Sequence, residues 1–314
     1  MQPLISIIIP TYNRSHLIGE TLGTIQGQTY QNWECVVVDD GSNDYTEELM
    51  SYYCSTDPRI KFHHRPKHLP KGGNVCRNYG YKMSKGKYIQ WFDSDDLMEK
   101  ESLQVKLDTI KDHQCDFVIA KLINMFPDNR LEEQNYNRKN QKILFEDYLF
   151  RRINWMTPDP LVTRDVLEKF NLSFNEIMRS DQEYNFYSKM LACTVNGFYI
   201  DKVLTKRRMH NNSIQSGVNR DSKKYRKEIF KNWYLTFLDL EDKIDKKIMQ
   251  SYLNQIMTIY FTAINQKVIP QRSLSFFKTV LFYKKPLFFI YFLTANFINI
   301  FTNKGYCLLV RSRR

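Results

Sequence analysis

The sequence predicts an open α/β fold, a mostly parallel sheet with helices on both faces, followed by a helical C-terminal region. Three observations carry that expectation. Short β-branched apolar runs alternate with helix-like segments over the first 125 residues. These runs are nearly continuous in apolar residues rather than apolar at every second position, as strands covered on both faces are. From Ser222 onward the pattern turns helical, with no turn-rich strand signal.

The elements follow in order. Leu4–Ile9 is a β-branched run ended by Pro10, and His16–Gln26 reads as a helix with Ser15 placed as its cap. Trp33–Val38 is a second apolar run, closed by Asp39-Asp40-Gly41, and Ser42 is placed to cap a helix over Tyr45–Tyr53. Ile60–His63 is a short strand. Lys71-Gly72-Gly73-Asn74 forms a loop before a helix over Val75–Met83. Tyr88–Phe92 is a strand that stops at Asp93. A helix over Glu101–His113 and a strand over Phe117–Met125 complete this part. Pro127–Gln141 is polar and reads as an exposed loop, and Lys142–Arg208 has a mixed α+β pattern.

A chain of 314 residues holds one large domain or two smaller ones. Its 14% aromatic content excludes a disordered composition. The net charge of +12 suits nucleic acid, an anionic membrane or a phosphate-bearing substrate. Placement chooses among them. From Pro270 to the end there are eight Lys and Arg and no Asp or Glu, set among apolar helices rather than in any nucleic-acid motif, so no nucleic-acid partner is expected. Ser275–Phe282 and Leu287–Phe301 are strongly apolar, interrupted by Lys284, Lys285 and Pro286. The longer run covers 15 residues, short of the roughly 20 a spanning helix needs. Residues 273–314 therefore point to peripheral membrane contact, with core packing or a homo-oligomer contact as the alternatives. The six cysteines form no CxxC pair, so no zinc site is suggested. Leu4–Ile9 is too short for a secretory signal, which points to a cytoplasmic chain with reduced thiols, at the inner face of the cell membrane.

In an open α/β sheet, ligands bind outside the carboxyl ends of the strands. Three polar clusters fall at such ends: Pro10-Thr11-Tyr12-Asn13-Arg14, Asp39-Asp40-Gly41-Ser42 and Asp93-Ser94-Asp95-Asp96. Singly, each reads as turn or capping chemistry. Together they line one cleft. Three carboxylates within four residues repel one another unless a cation neutralises them. Mg2+ typically takes one or two carboxylates plus substrate phosphates, and Mn2+ suits the same oxygens. Such a metal would offset charge on a diphosphate leaving group.

These segments resemble family 2 glycosyltransferases of the GT-A fold. The residues are Ile7-Ile8-Ile9-Pro10-Thr11-Tyr12-Asn13-Arg14, Val37-Val38-Asp39-Asp40-Gly41-Ser42, Arg77-Asn78 with Gly80, and Gly86-Lys87-Tyr88-Ile89 leading to Phe92-Asp93-Ser94-Asp95-Asp96. The resemblance is specific over the first 125 residues, looser to residue 216, and does not cover the tail. It implies an inverting transfer of a sugar from a nucleotide diphosphate-sugar, UDP-sugar foremost, onto a saccharide or lipid-linked saccharide in surface polysaccharide biosynthesis. It implies a catalytic domain over residues 1–218, with a nucleotide-sugar-binding half (1–125) and an acceptor half (126–218), before a helical region over 219–314. Pro10, Thr11, Tyr12 and Asn13 would form the loop under the nucleotide. Asp40 would accept a hydrogen bond from the base, supported by Asp39. Arg77 would face the donor or its diphosphate. Asp93 would sit near the ribose, with Ser94 in the same donor loop. Asp95 would be the principal ligand for Mn2+ or Mg2+, with Asp96 behind it or joining it.

An inverting transfer needs a general base to take the acceptor's proton. The candidate is Asp181, in a segment that resembles the family's acidic motif except that Ser180 stands where the first acid would be. Glu183 is the second candidate. Ser180-Asp181-Gln182-Glu183 also has the form of a capping box, with Ser180 as the cap. Arg208-Met209-His210 resembles the family's RxH element, in which His210 would complete the metal shell or contact phosphate. Trp155–Pro160 would lie on the acceptor side, where Trp155 either stacks on a sugar or is buried. A nucleotidyltransferase is the alternative. It calls for a Gly-rich phosphate loop after the first strand, and Pro10-Thr11-Tyr12-Asn13 stands there instead. A non-catalytic nucleotide-sugar-binding relative is the other, and the joint presence of Asp93, Asp95 and Asp181 argues against it.

Overall fold

A computed structural model of the chain describes residues 2–133, 143–209 and 222–313. The chain divides into two compact units, Met1–Asn211 and Asn212–Arg314. The first contains, in order, β1 (Ile5–Thr11), α1 (Ser15–Gln26), β2 (Trp33–Asp39), α2 (Thr46–Thr56), β3 (Ile60–His64), α3 (Gly73–Met83), β4 (Tyr88–Trp91), β5 (Leu97–Met98) and α4 (Ser102–His113). It continues with β6 (Phe117–Met125), β7 (Leu131–Glu133), α5 (Phe145–Leu149), β8 (Pro160–Thr163), α6 (Arg164–Lys169), α7 (Gln182–Leu191) and β9 (Gly197–Arg208).

The strands form one sheet in the order β3-β2-β1-β4-β8-β6-β9-β5, with β7 paired to β6. β3, β2, β1 and β4 run parallel. Beyond β4 the sheet is mixed, because β8 enters antiparallel to both β4 and β6, while β9 lies parallel to β6. The parallel half has a direct cause in sequence. β1 and β2 are almost wholly buried, so apolar side chains are needed on both faces. Ile5, Ile7 and Ile9 pack with Ile18, Leu22 and Leu107 on one side, while Ile8 joins Ile89, Trp91 and Phe117 on the other. Burying each such aliphatic side chain contributes about 1.5–3 kcal/mol. Gly80 lets α3 settle directly on this sheet: a Cβ there would stand 2.6 Å from Ile8 Cγ2 and 3.2 Å from Val38 Cγ2.

Two helix starts differ from the sequence expectation. α1 already includes Ser15, and α2 begins at Thr46 rather than after a Ser42 cap. Asp44 does both jobs. Its carboxylate accepts from the Ser15 amide (3.1 Å) and hydroxyl (2.8 Å), and from the Thr46 amide (3.1 Å). A carboxylate offers more acceptor sites than a hydroxyl, so one acid serves two helices. The polar segment after β6 also departs from a plain loop, since Leu131–Glu133 pairs back onto Ile123–Met125; its remainder, 134–142, lies outside the described residues.

The second unit is helical: α8 (Lys223–Leu240), α9 (Lys246–Asn265), α10 (Ser273–Tyr283), α11 (Pro286–Thr302) and α12 (Tyr306–Ser312). Side-chain caps from Ser222 and Asp245 start α8 and α9, and Pro286 opens α11 where no amide is needed. An aromatic cluster holds the unit together, with Phe276 packing edge-on against Phe230 (5.1 Å) and Phe292 (6.0 Å). Among the described residues, no helix is long and apolar enough to cross a membrane.

Candidate active site

The carboxyl ends of β1, β2 and β4 meet at one rim of the sheet. The Asp40 amide donates to the Thr11 carbonyl (2.9 Å), the Asn13 amide to Ser42 Oγ (2.8 Å), and the Asn43 amide to Asn13 Oδ1 (2.8 Å). Asn13 takes a left-handed backbone (φ 51°), which its short polar side chain tolerates, and so folds the β1 loop back onto the β2 loop. Thr11 is buried and its hydroxyl has no partner, whereas Tyr12 is 48% exposed. Arg14 carries the connection to the third loop, its Nε standing 3.6 Å from the Asp95 carboxylate.

The two aspartates after β2 have different surroundings. Asp39 is buried and accepts from the Gly41 and Ser42 amides, both at 2.9 Å, and from the Ser42 hydroxyl, so it shapes the loop. Asp40 is held by the Arg65 guanidinium. The sequence reading missed Arg65, which lies 25 residues away in the chain without a motif.

Arg77 is buried on α3. It donates to Asp93 Oδ1 at 2.7 Å and to Asn74 Oδ1 at 3.2 Å, and its Nε is buried without a partner. Ser94 is buried and contacts α1 through its carbonyl, which accepts the Thr21 hydroxyl at 3.1 Å. Asp96 is buried and accepts the Arg208 amide at 3.1 Å, while Arg208 Nε donates to the Asp95 carbonyl at 3.0 Å. Burial, then the charges of Asp93 and Asp95, push the Asp96 carboxyl well above the ordinary aspartate range. β9 thus brings Arg208 onto the acid loop, and His210, two residues on, lies outside the described residues.

Asn74 links this rim to the loop before α7. Its amide donates to the Asn175 (2.8 Å) and Met178 (3.1 Å) carbonyls, so the start of α3 holds the loop that leads to Asp181. Asp181 does not sit in the first turn behind a Ser180 cap. It is itself the N-cap of α7, with φ 52° and no capping bond from its own side chain. Its carboxylate instead reaches out to Arg151 Nη2 at 3.0 Å. A guanidinium hydrogen bond to a carboxylate is charge-assisted at both ends. Glu183 feels acids on both sides of this region. Its carboxyl is pushed up to about 7, by burial first and Asp181 second, and it also feels Arg77 and Asp93. Trp155 is buried against Tyr148 (4.2 Å between ring centres) and Tyr187, so it is a core side chain and does not present a face to a sugar.

The donor set suits a hard divalent cation. Among the described residues no three His, Cys, Asp or Glu are grouped to hold a metal. Two acids with substrate phosphates are nevertheless the usual arrangement for Mg2+. Burial contributes most to raising Asp96, and the charges of Asp93 and Asp95, which come next, are ones that a cation would offset.

Comparison with known proteins gives the same picture from outside. A family model described as Glycosyl transferase family 2 matches residues 6–171. An uncharacterized glycosyltransferase of Rickettsia conorii is 38% identical over 113 residues, 36% of this chain and 18% of that protein. The match therefore spans less than a fifth of that relative's length. TuaG of Bacillus subtilis, a glycosyltransferase named for teichuronic acid biosynthesis, is 25% identical over 224 residues, covering 71% of this chain and 86% of the relative. Among solved structures, residues 1–349 of S. aureus TarS in complex with UDP-GlcNAc align with a TM-score of 0.71 at 18% identity, over 94% of this chain and 89% of that one. The mannosyltransferase PcManGT of Pyrobaculum calidifontis, in complex with GDP-Man and Mn2+, aligns at 0.56 with 15% identity, over 99% of this chain and 86% of that one. At these identities the likeness shows the fold, which is of the GT-A type.

Proposed function

The chain belongs to glycosyl transferase family 2, and from that premise we propose that it transfers a sugar, with inversion, from a UDP-sugar to a saccharide or lipid-linked saccharide. The observation that carries this reading is the joining of three strand-end loops. Asp40 bonds to Thr11 at 2.9 Å and Arg14 reaches Asp95 at 3.6 Å, so the groups that this reading assigns to base, ribose and phosphate lie on loops sharing one rim. UDP-GlcNAc in TarS and GDP-Man in PcManGT make a nucleotide-sugar the donor class to test.

In this reading Pro10, Thr11, Tyr12 and Asn13 underlie the nucleotide. Asp40 accepts from the base, with Arg65 as its resting partner and Asp39 fixing the loop behind it. Asp93 takes the ribose hydroxyls while paired to Arg77. Asp95 holds the metal, and buried Asp96 braces that loop by gripping the Arg208 amide. A bound Mn2+ or Mg2+ supplies charge neutralisation at the diphosphate. Arg14, Arg77 and Arg208 add fixed positive charge beside it, in a setting where donors aimed at the developing charge lower the barrier.

Asp181 accepts the proton of the acceptor hydroxyl as that oxygen bonds to C1 of the donor sugar. The C1–O bond to the diphosphate breaks on the opposite face, and nucleotide diphosphate leaves. One displacement inverts the configuration. TuaG, named for teichuronic acid biosynthesis, supports a role in surface polysaccharide assembly. The basic aromatic tail supports a place at the inner face of the cell membrane. The test is a panel of UDP-, GDP- and dTDP-sugars with Mn2+ or Mg2+, reading nucleotide diphosphate release. Metal-dependent release from a UDP-sugar supports the reading; no release and no binding from any member of the panel overturns it.

A further inference from the structure

We propose that the C-terminal unit seats on an anionic lipid surface, with α11 lying flat among the headgroups. This deepens the membrane placement suggested above by naming the face and the lipid chemistry, and its test does not depend on sugar transfer. α11 exposes Leu287, Ile290, Leu293, Phe297, Ile300 and Phe301. They recur every three or four residues and so share one side of the helix. The opposite side carries Phe292, Ala295, Asn296 and Asn299, all buried, with Asn299 bonded to the Phe261 carbonyl at 2.9 Å. The helix has already satisfied its packing on that side. A surface helix normally turns polar side chains outward, yet here Phe297 is 64% and Phe301 72% exposed. On α10, Phe282 adds an 81% exposed ring.

Charge selects what covers this stripe. From Pro270 on, the chain has eight Lys and Arg and no acid. Exposed Lys285 precedes α11 and exposed Lys304 follows it, while Lys278 on α10 and Arg311 on α12 are exposed too. Such side chains reach phosphate headgroups while an apolar stripe sits at the acyl boundary. A second copy docked on α11 would bring the Lys285 and Lys304 that flank it towards their counterparts with no acid from this segment to neutralise them. Length sets the orientation. The 17 residues of α11, rising about 1.5 Å each, reach roughly 25 Å, short of the roughly 30 Å hydrocarbon core. The helix therefore lies in the interface instead of crossing it.

The experiment is co-sedimentation of the full chain with vesicles of phosphatidylcholine alone or mixed with phosphatidylglycerol. Binding should require phosphatidylglycerol and weaken as salt rises from about 0.1 M to about 1 M, where the screening length falls from roughly 10 Å to 3 Å. Lys285→Gln and Lys304→Gln should each weaken binding about fivefold, as expected for one charge at an anionic surface. Phe297→Ser with Phe301→Ser should weaken it tenfold or more, since two large apolar groups no longer enter the bilayer. Because all four side chains are exposed, these variants should melt like the parent chain and release nucleotide diphosphate from a soluble donor at the parent rate. No binding to either vesicle, or binding that ignores phosphatidylglycerol, overturns the proposal. So does a micromolar dimer in sedimentation velocity that the paired Phe changes dissolve.

Discussion

Arg151 and Asp181 face each other across 3.0 Å, and both hold left-handed backbone, at φ 57° and 52°. That conformation costs Arg151 about 1–2 kcal/mol, whereas the short polar side chain of Asp181 tolerates it better. A partly exposed ion pair returns only about 0.2–1 kcal/mol. The pair therefore does not hold the strain by itself. The rest comes from the surrounding loops, where Asn74 fixes the Asn175 and Met178 carbonyls and the Arg151 guanidinium lies 4.1 Å over the Tyr184 ring.

Asp181→Asn keeps the shape and removes proton acceptance. Transfer should fall by about 10²- to 10⁴-fold, the usual worth of a general base, while the dissociation constant for UDP stays near that of the parent. A variant that transfers at close to the parent rate removes Asp181 from the base role.

Arg151→Gly relieves one left-handed residue and deletes one ion pair. These effects oppose each other, so thermal stability should change by less than about 1 kcal/mol. Turnover should fall with donor KM unchanged, because Asp181 loses its orientation. Unchanged turnover would separate the ion pair from catalysis.

Glu183 predicts a pH signature. Its folded carboxyl titrates near 7, above the ordinary 4.5, through burial and then Asp181. A group raised in this way gives stability that is fully present below 4.5 and lost as pH climbs through 7. Glu183→Gln imitates the protonated form. The two proteins should melt together at pH 4, the parent should fall progressively below the variant between pH 4.5 and 7, and the gap should stay constant above that. A gap that does not vary with pH contradicts this placement of the carboxyl.

Gly80→Ala tests how α3 carries Arg77. The new Cβ would meet Ile8 Cγ2 at 2.6 Å within the sheet. Such overpacking costs about 1–3 kcal/mol, read as a lower midpoint in urea. Arg77 is one turn away, so donor affinity should fall as well. A variant as stable as the parent would mean that α3 can lift off the sheet freely.

The parallel half was legible in sequence because β1 and β2 are buried on both faces and so carry apolar runs broken only by Ser6 and by Glu34 before their polar ends. The meeting of the Thr11, Asp40 and Asp95 loops was legible for the same reason, since strand order fixes which ends share a rim. The mixed half was not. β8 is four residues long and β9 switches register beside Ala120 and Lys121, so neither has a clean period. Ser15, Ser42 and Ser180 have the local chemistry of caps, yet Asp44 serves α1 and α2, and Asp181 turns to Arg151. Arg65 lay outside every motif, and Arg14 and Arg208 stood in motifs without a role of their own, because each finds its acid through the fold.

The account depends on Asp95 drawing a divalent ion to the donor's diphosphate. Titration calorimetry of UDP into the protein, with and without Mn2+, measures this directly. Mn2+ should tighten UDP binding to the parent chain at least tenfold, about 1.4 kcal/mol, and should leave binding to Asp95→Ala unchanged. Equal tightening in both proteins, or none in either, would contradict it.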